Sequence, residues 1–334
     1  MITNNITDAA TVKPGSFPII DMSDFGEPAG RKRVVDEIRK ACTTIGFFLV
    51  TGHGIPRAVS DGLKQASEKY FAFPKEEKLL DATEPRFRRG FLSFSEESPL
   101  ESYEFSLDLP LDDSDVIAGR FLHGPNHWPE KHPWLQDAAD RYQEAVLEVG
   151  EQIERAFALS LDLDGEFFVD LCRKPTLHMR LFHYFPRTEE QRRTTFSSQP
   201  HTDLGMFTIL MPDPNGGLQV QMRDETWVNV PYVDDALVVN IGDMMEIWTN
   251  DRYVSTPHRV VGLTGKDRYS VPVFICPAFE TLVECIPSCL AAGEAPKHPP
   301  MRAGKYLEQR LGMEDHTEKT SDYGVRAHRK QQVA

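Results

Sequence analysis

Between residues 176 and 285 the chain breaks into seven short segments, each apolar or alternating: LHMRLFHYF, HTDLGMFTILM, GLQVQM, WVNVP, ALVVNIG, STPHRVVGL and RYSVPVFICP. Turn-forming stretches such as PDPNGG and LTGKD separate them. So many short strands predict an antiparallel sandwich or barrel of the jelly-roll kind. Just upstream, Ala138, Tyr142, Ala145, Val149, Ile153 and Phe157 recur at three- and four-residue steps. That spacing predicts one long amphipathic helix over 135–165, packed along the back of the sheet.

The preceding residues read differently. FPIIDMSDF is strand-like, Val34, Val35, Ile38, Ala41 and Cys42 share a helical face, FFLVTGHGIP is β-rich, and Val59, Leu63, Ala66 and Tyr70 share another helical face. Residues 1–75 are therefore expected as strand, helix, strand, helix. Residues 80–134, with Arg88-Arg89-Gly90-Phe91 and GPNHWP, are expected as irregular loops over a site. The tail 311–334 is polar and aperiodic, and disorder is expected there. The fold class is α+β, mainly β.

Composition narrows the function. The formal net charge of −14, from 37 basic and 51 acidic side chains, opposes a nucleic-acid partner, because such binding depends on neutralising phosphates. A local basic pocket for a small dianion stays open. No apolar run approaches the ~18 residues of a membrane span, and MITNNITDAATVKPGSF lacks the basic and apolar regions of a signal peptide. A cytoplasmic protein with no membrane partner is expected. Its five cysteines, Cys42, Cys172, Cys276, Cys285 and Cys289, form no CxxC pair, which indicates neither a disulfide framework nor a zinc cluster. Oligomeric state is unknown at this level.

His201-Thr202-Asp203 opens one of the strand-like runs, and residues two apart on a strand project from one face. Alone, such a pair is as readily a satisfied polar pair at a strand edge. His258 heads another strand-like segment 55 residues later, where jelly-roll strands could bring it back to the same place. Two histidines and one carboxylate match the facial triad of non-haem iron(II) oxygenases, which leaves three coordination positions open. Ten residues further, Arg268 and Ser270 share a strand face and could clamp a distal carboxylate.

Together these blocks resemble the isopenicillin N synthase-like branch of the iron(II)- and 2-oxoglutarate-dependent dioxygenases, from about 17 to 285. The resemblance is carried by HTDLGMFTIL, GGLQV, WVNV, VVNIGDMMEIWTNDRYVSTPHRVV and DRYSVPVFICP, and in the amino-terminal half by ACTTIGFFLVTGHGIP, YFAFPKEEK, Arg89-Gly90-Phe91 and GPNHWP. It implies a distorted double-stranded β-helix core at 176–285, a non-catalytic α/β region at 17–134, and iron(II) held by His201, Asp203 and His258. Arg268 and Ser270 would hold the distal carboxylate of 2-oxoglutarate, the co-substrate alongside dioxygen, with ascorbate as reductant in vitro. Tyr184 matches a family tyrosine that contacts the same carboxylate, although relatives often carry Asn two residues before it and this chain has Phe182. Asp243 or Arg259 would support the metal histidines, and His183 and Phe185 would meet substrate. Trp227, Trp248, Phe207 and Phe274 are expected in the core. His53, His123, His127 and His178 are expected as packing or surface residues.

The implied reaction oxidises a small organic metabolite by hydroxylation, desaturation, cyclisation or epoxidation, with release of succinate and carbon dioxide. Secondary metabolism, including antibiotic biosynthesis, is the implied setting. The carboxylate of Asp203 argues against halogenation, since related halogenases carry a small residue there. Three rivals use the same residues: an isopenicillin N synthase-type oxidase that needs no keto acid, a non-catalytic jelly-roll binding protein, and a zinc or manganese hydrolase or cupin.

Overall fold

A computed structural model describes residues 17–83, 87–93 and 100–311. An eight-stranded sheet has the order β1 (Ile19–Asp21), β2 (Phe47–Thr51), β10 (Leu237–Ile241), β7 (Phe207–Met211), β12 (Arg268–Cys276), β5 (Thr176–Tyr184), β4 (Leu100–Phe105) and β3 (Gly90–Ser93). Among the described residues, β1–β2 is the one parallel pair of neighbouring strands in this sheet. Facing it is a four-stranded sheet in the order β6 (Ser198–His201), β11 (His258–Val260), β8 (Leu218–Gln221) and β9 (Trp227–Asn229). About 35% of the described residues are helical and 24% extended, so the architecture is mixed around a jelly-roll core.

Period-two alternation sorts each strand of the large sheet between two cores. Val271, Val273 and Ile275 of β12 join Leu177, Met179 and Leu181 of β5 and Phe207 and Ile209 of β7 in a cluster with the helices. Those helices are α1 (Pro28–Thr44), α2 (Arg57–Phe71) and the 28-residue helix Pro133–Ser160 expected from the periodicity. At Gly150 the long helix comes so close that an added Cβ would lie 3.2 Å from Ile275 Cδ1. The opposite face packs Phe47, Leu49, Val238 and Tyr184 against Leu218, Val220 and Val260 of the small sheet. The site lies in this space between the sheets. Among the described residues no helix is long and apolar enough to cross a membrane.

The expected strand–helix–strand–helix start is present. The expectation of irregular loops over 80–134 is only partly met, because β3 and β4 form a hairpin that pairs with β5. β4 is LESYEF, and its acidic residues disguise a strand buried on both faces. Glu101 accepts from Lys78 Nζ at 2.6 and 2.7 Å and contacts His183 Nδ1 at 2.9 Å. Glu104 pairs with Arg180 at 2.5 Å. Each carboxylate has its cation, and that permits burial. Lys78→Met should therefore cost about 3–5 kcal/mol by chemical denaturation, and adding Glu101→Gln should return part of the loss. Equal losses in the single and double variants would show that the buried charge is not the reason. The tail 312–334 lies outside the described residues, so the disorder expected there is not addressed.

Candidate metal and co-substrate site

β11 pairs with β6 so that His258 stands directly opposite His201, with ring centroids 4.2 Å apart. Asp203 is not on the same strand, as the sequence suggests; β6 ends at His201 and Asp203 lies in the connection to β7. The hairpin of ligands is made instead by tethering that connection. Thr208 Oγ1 and Asn240 Nδ2 both donate to Asp203 Oδ2, at 2.6 and 2.7 Å, leaving Oδ1 to face the imidazoles. Oδ1 lies 3.8 Å from His201 Nε2 and 3.6 Å from His258 Nε2, and the three atoms lie within 4.8 Å of one another. Thr208 and Asn240 were not singled out from the sequence. Their signal was a lone polar residue inside each of the apolar runs FTILM and LVVNI.

Hydrogen-bond partners fix the protonation. His201 Nδ1 lies 2.7 Å from the Gln199 carbonyl and His258 Nδ1 3.2 Å from the Thr256 carbonyl. A carbonyl only accepts, so both Nδ1 atoms donate and Nε2 is the nitrogen each ring turns toward Asp203. Burial, with His258 beside it, lowers the pKa of His201 to about 4, so its ring is neutral at physiological pH. For Asp203, burial pushes the carboxyl upward but is outweighed by His258, His201 and the two hydrogen bonds, leaving it below its ordinary value. Two imidazole nitrogens and one carboxylate oxygen thus converge within 4.8 Å. Such a set fits a divalent cation, and two imidazoles with one carboxylate suit iron(II).

On the same face of the large sheet, Arg268 opposes Tyr184 and Ser270 opposes Phe182 across the β12–β5 ladder. Arg268 is buried; its Nε donates to the Gly216 carbonyl at 2.7 Å and its Nη1 to Ser270 Oγ at 3.0 Å. Its guanidinium lies 4.7 Å over the Tyr184 ring. Gly217, at φ +93°, holds this turn, and a Cβ there would fall 2.2 Å from the Val261 carbonyl oxygen. The expected pairing of Arg268 with Ser270 on one face is present, and Tyr184 meets it as a ring.

Other expected contacts fall elsewhere. His183 points to the helix side, between Glu101 at 2.9 Å and Asp267 at 2.8 Å, and stacks on Tyr269. It is one residue out of phase with the site face, and Phe185 lies beyond β5 and is exposed. In phase are Phe274, which opposes Thr208 and His178 on its two sides, and Arg180 with Glu104. Burial lowers the pKa of His178 to about 4. Arg259 stacks at 4.0 Å on Trp227 and donates to Gln219 Oε1, away from the imidazoles. Asp243 reaches the triad through its backbone, its N–H donating to the Asp203 carbonyl at 2.8 Å. Trp248 and Phe207 are core residues, whereas Trp227 and Phe274 are only half-buried.

Comparison with known proteins gives the same outline. Residues 175–277 match the family model of the 2OG-Fe(II) oxygenase superfamily, and residues 17–131 match that of the non-haem dioxygenase in morphine synthesis N-terminal region. The 2-oxoglutarate-Fe(II) type oxidoreductase hxnY of Emericella nidulans is 35% identical over 305 residues, covering 86% of this chain and 87% of that protein. Kihadalactone A synthase LFS of Citrus sinensis is 30% identical over 325 residues, covering 92% and 96%. Full-length Neurospora crassa T7H in complex with alpha-KG and thymine superposes with a TM-score of 0.81 at 27% identity, covering 92% of this chain and 100% of that one.

Proposed function

We propose, from the premise that this chain belongs to the 2OG-Fe(II) oxygenase superfamily and is an iron(II)- and 2-oxoglutarate-dependent oxidoreductase, that His201, Asp203 and His258 hold its iron. The observation that carries the assignment is the convergence of two imidazole nitrogens and a carboxylate oxygen within 4.8 Å. Iron and 2-oxoglutarate, when bound with dioxygen, supply the oxidising chemistry, and succinate and carbon dioxide are the by-products. The protein's own groups position and neutralise. Arg268 and Ser270 would bind the far carboxylate of 2-oxoglutarate, with Tyr184 backing the guanidinium. Thr208 and Asn240 keep Asp203 ionised and turned toward the histidines.

The substrate is a small molecule, and we place it against Phe274, His178, Arg180 and Glu104, which continue the site face away from Asp203. A half-buried ring beside paired charges suits a compound with an apolar body and a polar end. The setting we propose is specialised-metabolite assembly in the cytoplasm, antibiotic biosynthesis included; the relative named for making kihadalactone A supports it. The names of the relatives and the alpha-KG bound to the T7H structure weigh against an oxidase without keto acid, a passive binding protein and a hydrolase.

The test is a mass-spectrometric screen of candidate metabolites with iron(II), 2-oxoglutarate, ascorbate and oxygen. Succinate should form together with a product that has gained one oxygen or lost two hydrogens. Substrate oxidation without 2-oxoglutarate would establish the oxidase instead. Turnover without oxygen would establish a hydrolase.

A further inference from the structure

Asp243 begins the short helix Asp243–Trp248 and is fully buried. Its hydrogen bonds reach three other parts of the described chain. Its backbone N–H donates to the carbonyl of Asp203 at 2.8 Å. Its Oδ1 accepts from Ser255 Oγ at 2.8 Å, and the next residue, Thr256, supplies the carbonyl that orients His258 Nδ1 at 3.2 Å. Its Oδ2 accepts from the hydroxyl of Tyr306 at 2.8 Å. Tyr306 lies on the helix Ala303–Arg310, 63 residues away in sequence.

One buried residue therefore touches Asp203 with its backbone N–H, while its carboxylate links the Ser255–Thr256 segment that orients His258 to the last described helix. The chain segments carrying Asp203 and His258 are already joined at the β6–β11 ladder, where His258 opposes His201, and Asp243 ties them a second time from the other side of each ligand. Asp243 is the group that both touch, directly at Asp203 and through Ser255 at Thr256. Both hydroxyls help to orient that carboxylate, and a buried carboxylate that loses a donor will rotate or draw in water.

We propose that Tyr306 is a positioning residue for the metal site, acting through the Asp243 carboxylate and Ser255 on the Thr256 carbonyl that orients His258. The inference rests on the reading of His201, Asp203 and His258 as iron ligands. A plainer role, pinning the carboxy-terminal helix, would affect stability alone. Outer partners of metal ligands typically contribute 10–100-fold in metal affinity. Tyr306 acts through Asp243 and Ser255, and the effect expected is about tenfold, the lower end of that range.

The experiment is anaerobic titration of the full chain with cobalt(II), followed by its visible absorption, beside thermal denaturation of each metal-free protein. Tyr306→Phe should raise the cobalt dissociation constant about tenfold, and excess iron(II) should restore its turnover. Ser255→Ala removes the other hydroxyl and should act in the same direction, which keeps the test open if Tyr306→Phe does not fold. If the unaltered protein binds cobalt and both variants bind it equally well with lower melting temperatures, the helix is merely pinned and the proposal fails while the iron site stands. If the unaltered protein binds neither cobalt nor iron, the iron reading fails and takes this proposal with it.

Discussion

Replacing His258 with alanine is expected to reduce substrate-dependent succinate formation by more than a hundredfold and to abolish stoichiometric iron binding. The expectation follows from geometry. Removing Nε2 leaves His201 and Asp203 as a two-atom site, and the loss should exceed the 10–100-fold typical when only an outer partner of a ligand is removed. Stability should behave differently. What the metal-free fold loses with the ring is chiefly its edge contact with Phe47, whose centroid lies 5.3 Å away. The metal-free variant should thus melt within a few degrees of the parent while the iron-dependent rise in melting temperature disappears. Turnover above about a tenth of the parent value would remove His258 from the ligand set.

Why the convergence of His201, Asp203 and His258 could be expected from the sequence while the groups that brace Asp203 could not is a matter of range. His201 and Asp203 are two residues apart, and the apolar runs around them mark a sheet interior without any knowledge of topology. A shared strand does not place them, however: β6 ends at His201, and Asp203 is placed by Thr208 and Asn240 from β7 and β10. Those strands meet only because β10 and β7 pair in the folded sheet. Local pattern also fails where burial is achieved by pairing charges. LESYEF is polar by composition, and its strand character depends on Lys78, His183 and Arg180, which come from two other parts of the chain. The phase of β5 was legible in principle. Apolar Leu177, Met179 and Leu181 define the helix side, which places His183 with them and sends His178, Arg180 and Phe182 toward the site.

The clamp offers the second large effect. Arg268→Ala should raise the half-saturating concentration of 2-oxoglutarate by roughly two orders of magnitude, with iron binding unchanged. Hydrogen bonds to charged groups contribute about 1.5–3 kcal/mol each, and about 1.4 kcal/mol corresponds to a factor of ten. The guanidinium is already oriented by the Gly216 carbonyl, Ser270 Oγ and the Tyr184 ring, so little ordering entropy remains to be lost when a carboxylate arrives. Arg268→Lys should recover only part of the affinity, because an ammonium keeps the charge but lacks the planar fork. Ser270→Ala should raise the constant less, since it removes a neutral hydroxyl. The measurement also separates the two chemistries that this pocket allows. An arginine that binds 2-oxoglutarate moves the constant for the keto acid and leaves that of the organic substrate near its starting value. If Arg268→Ala instead moves the organic substrate's constant and leaves 2-oxoglutarate's unchanged, the carboxylate in this pocket belongs to the substrate, and the assignment of the clamp must be given up while the triad is kept.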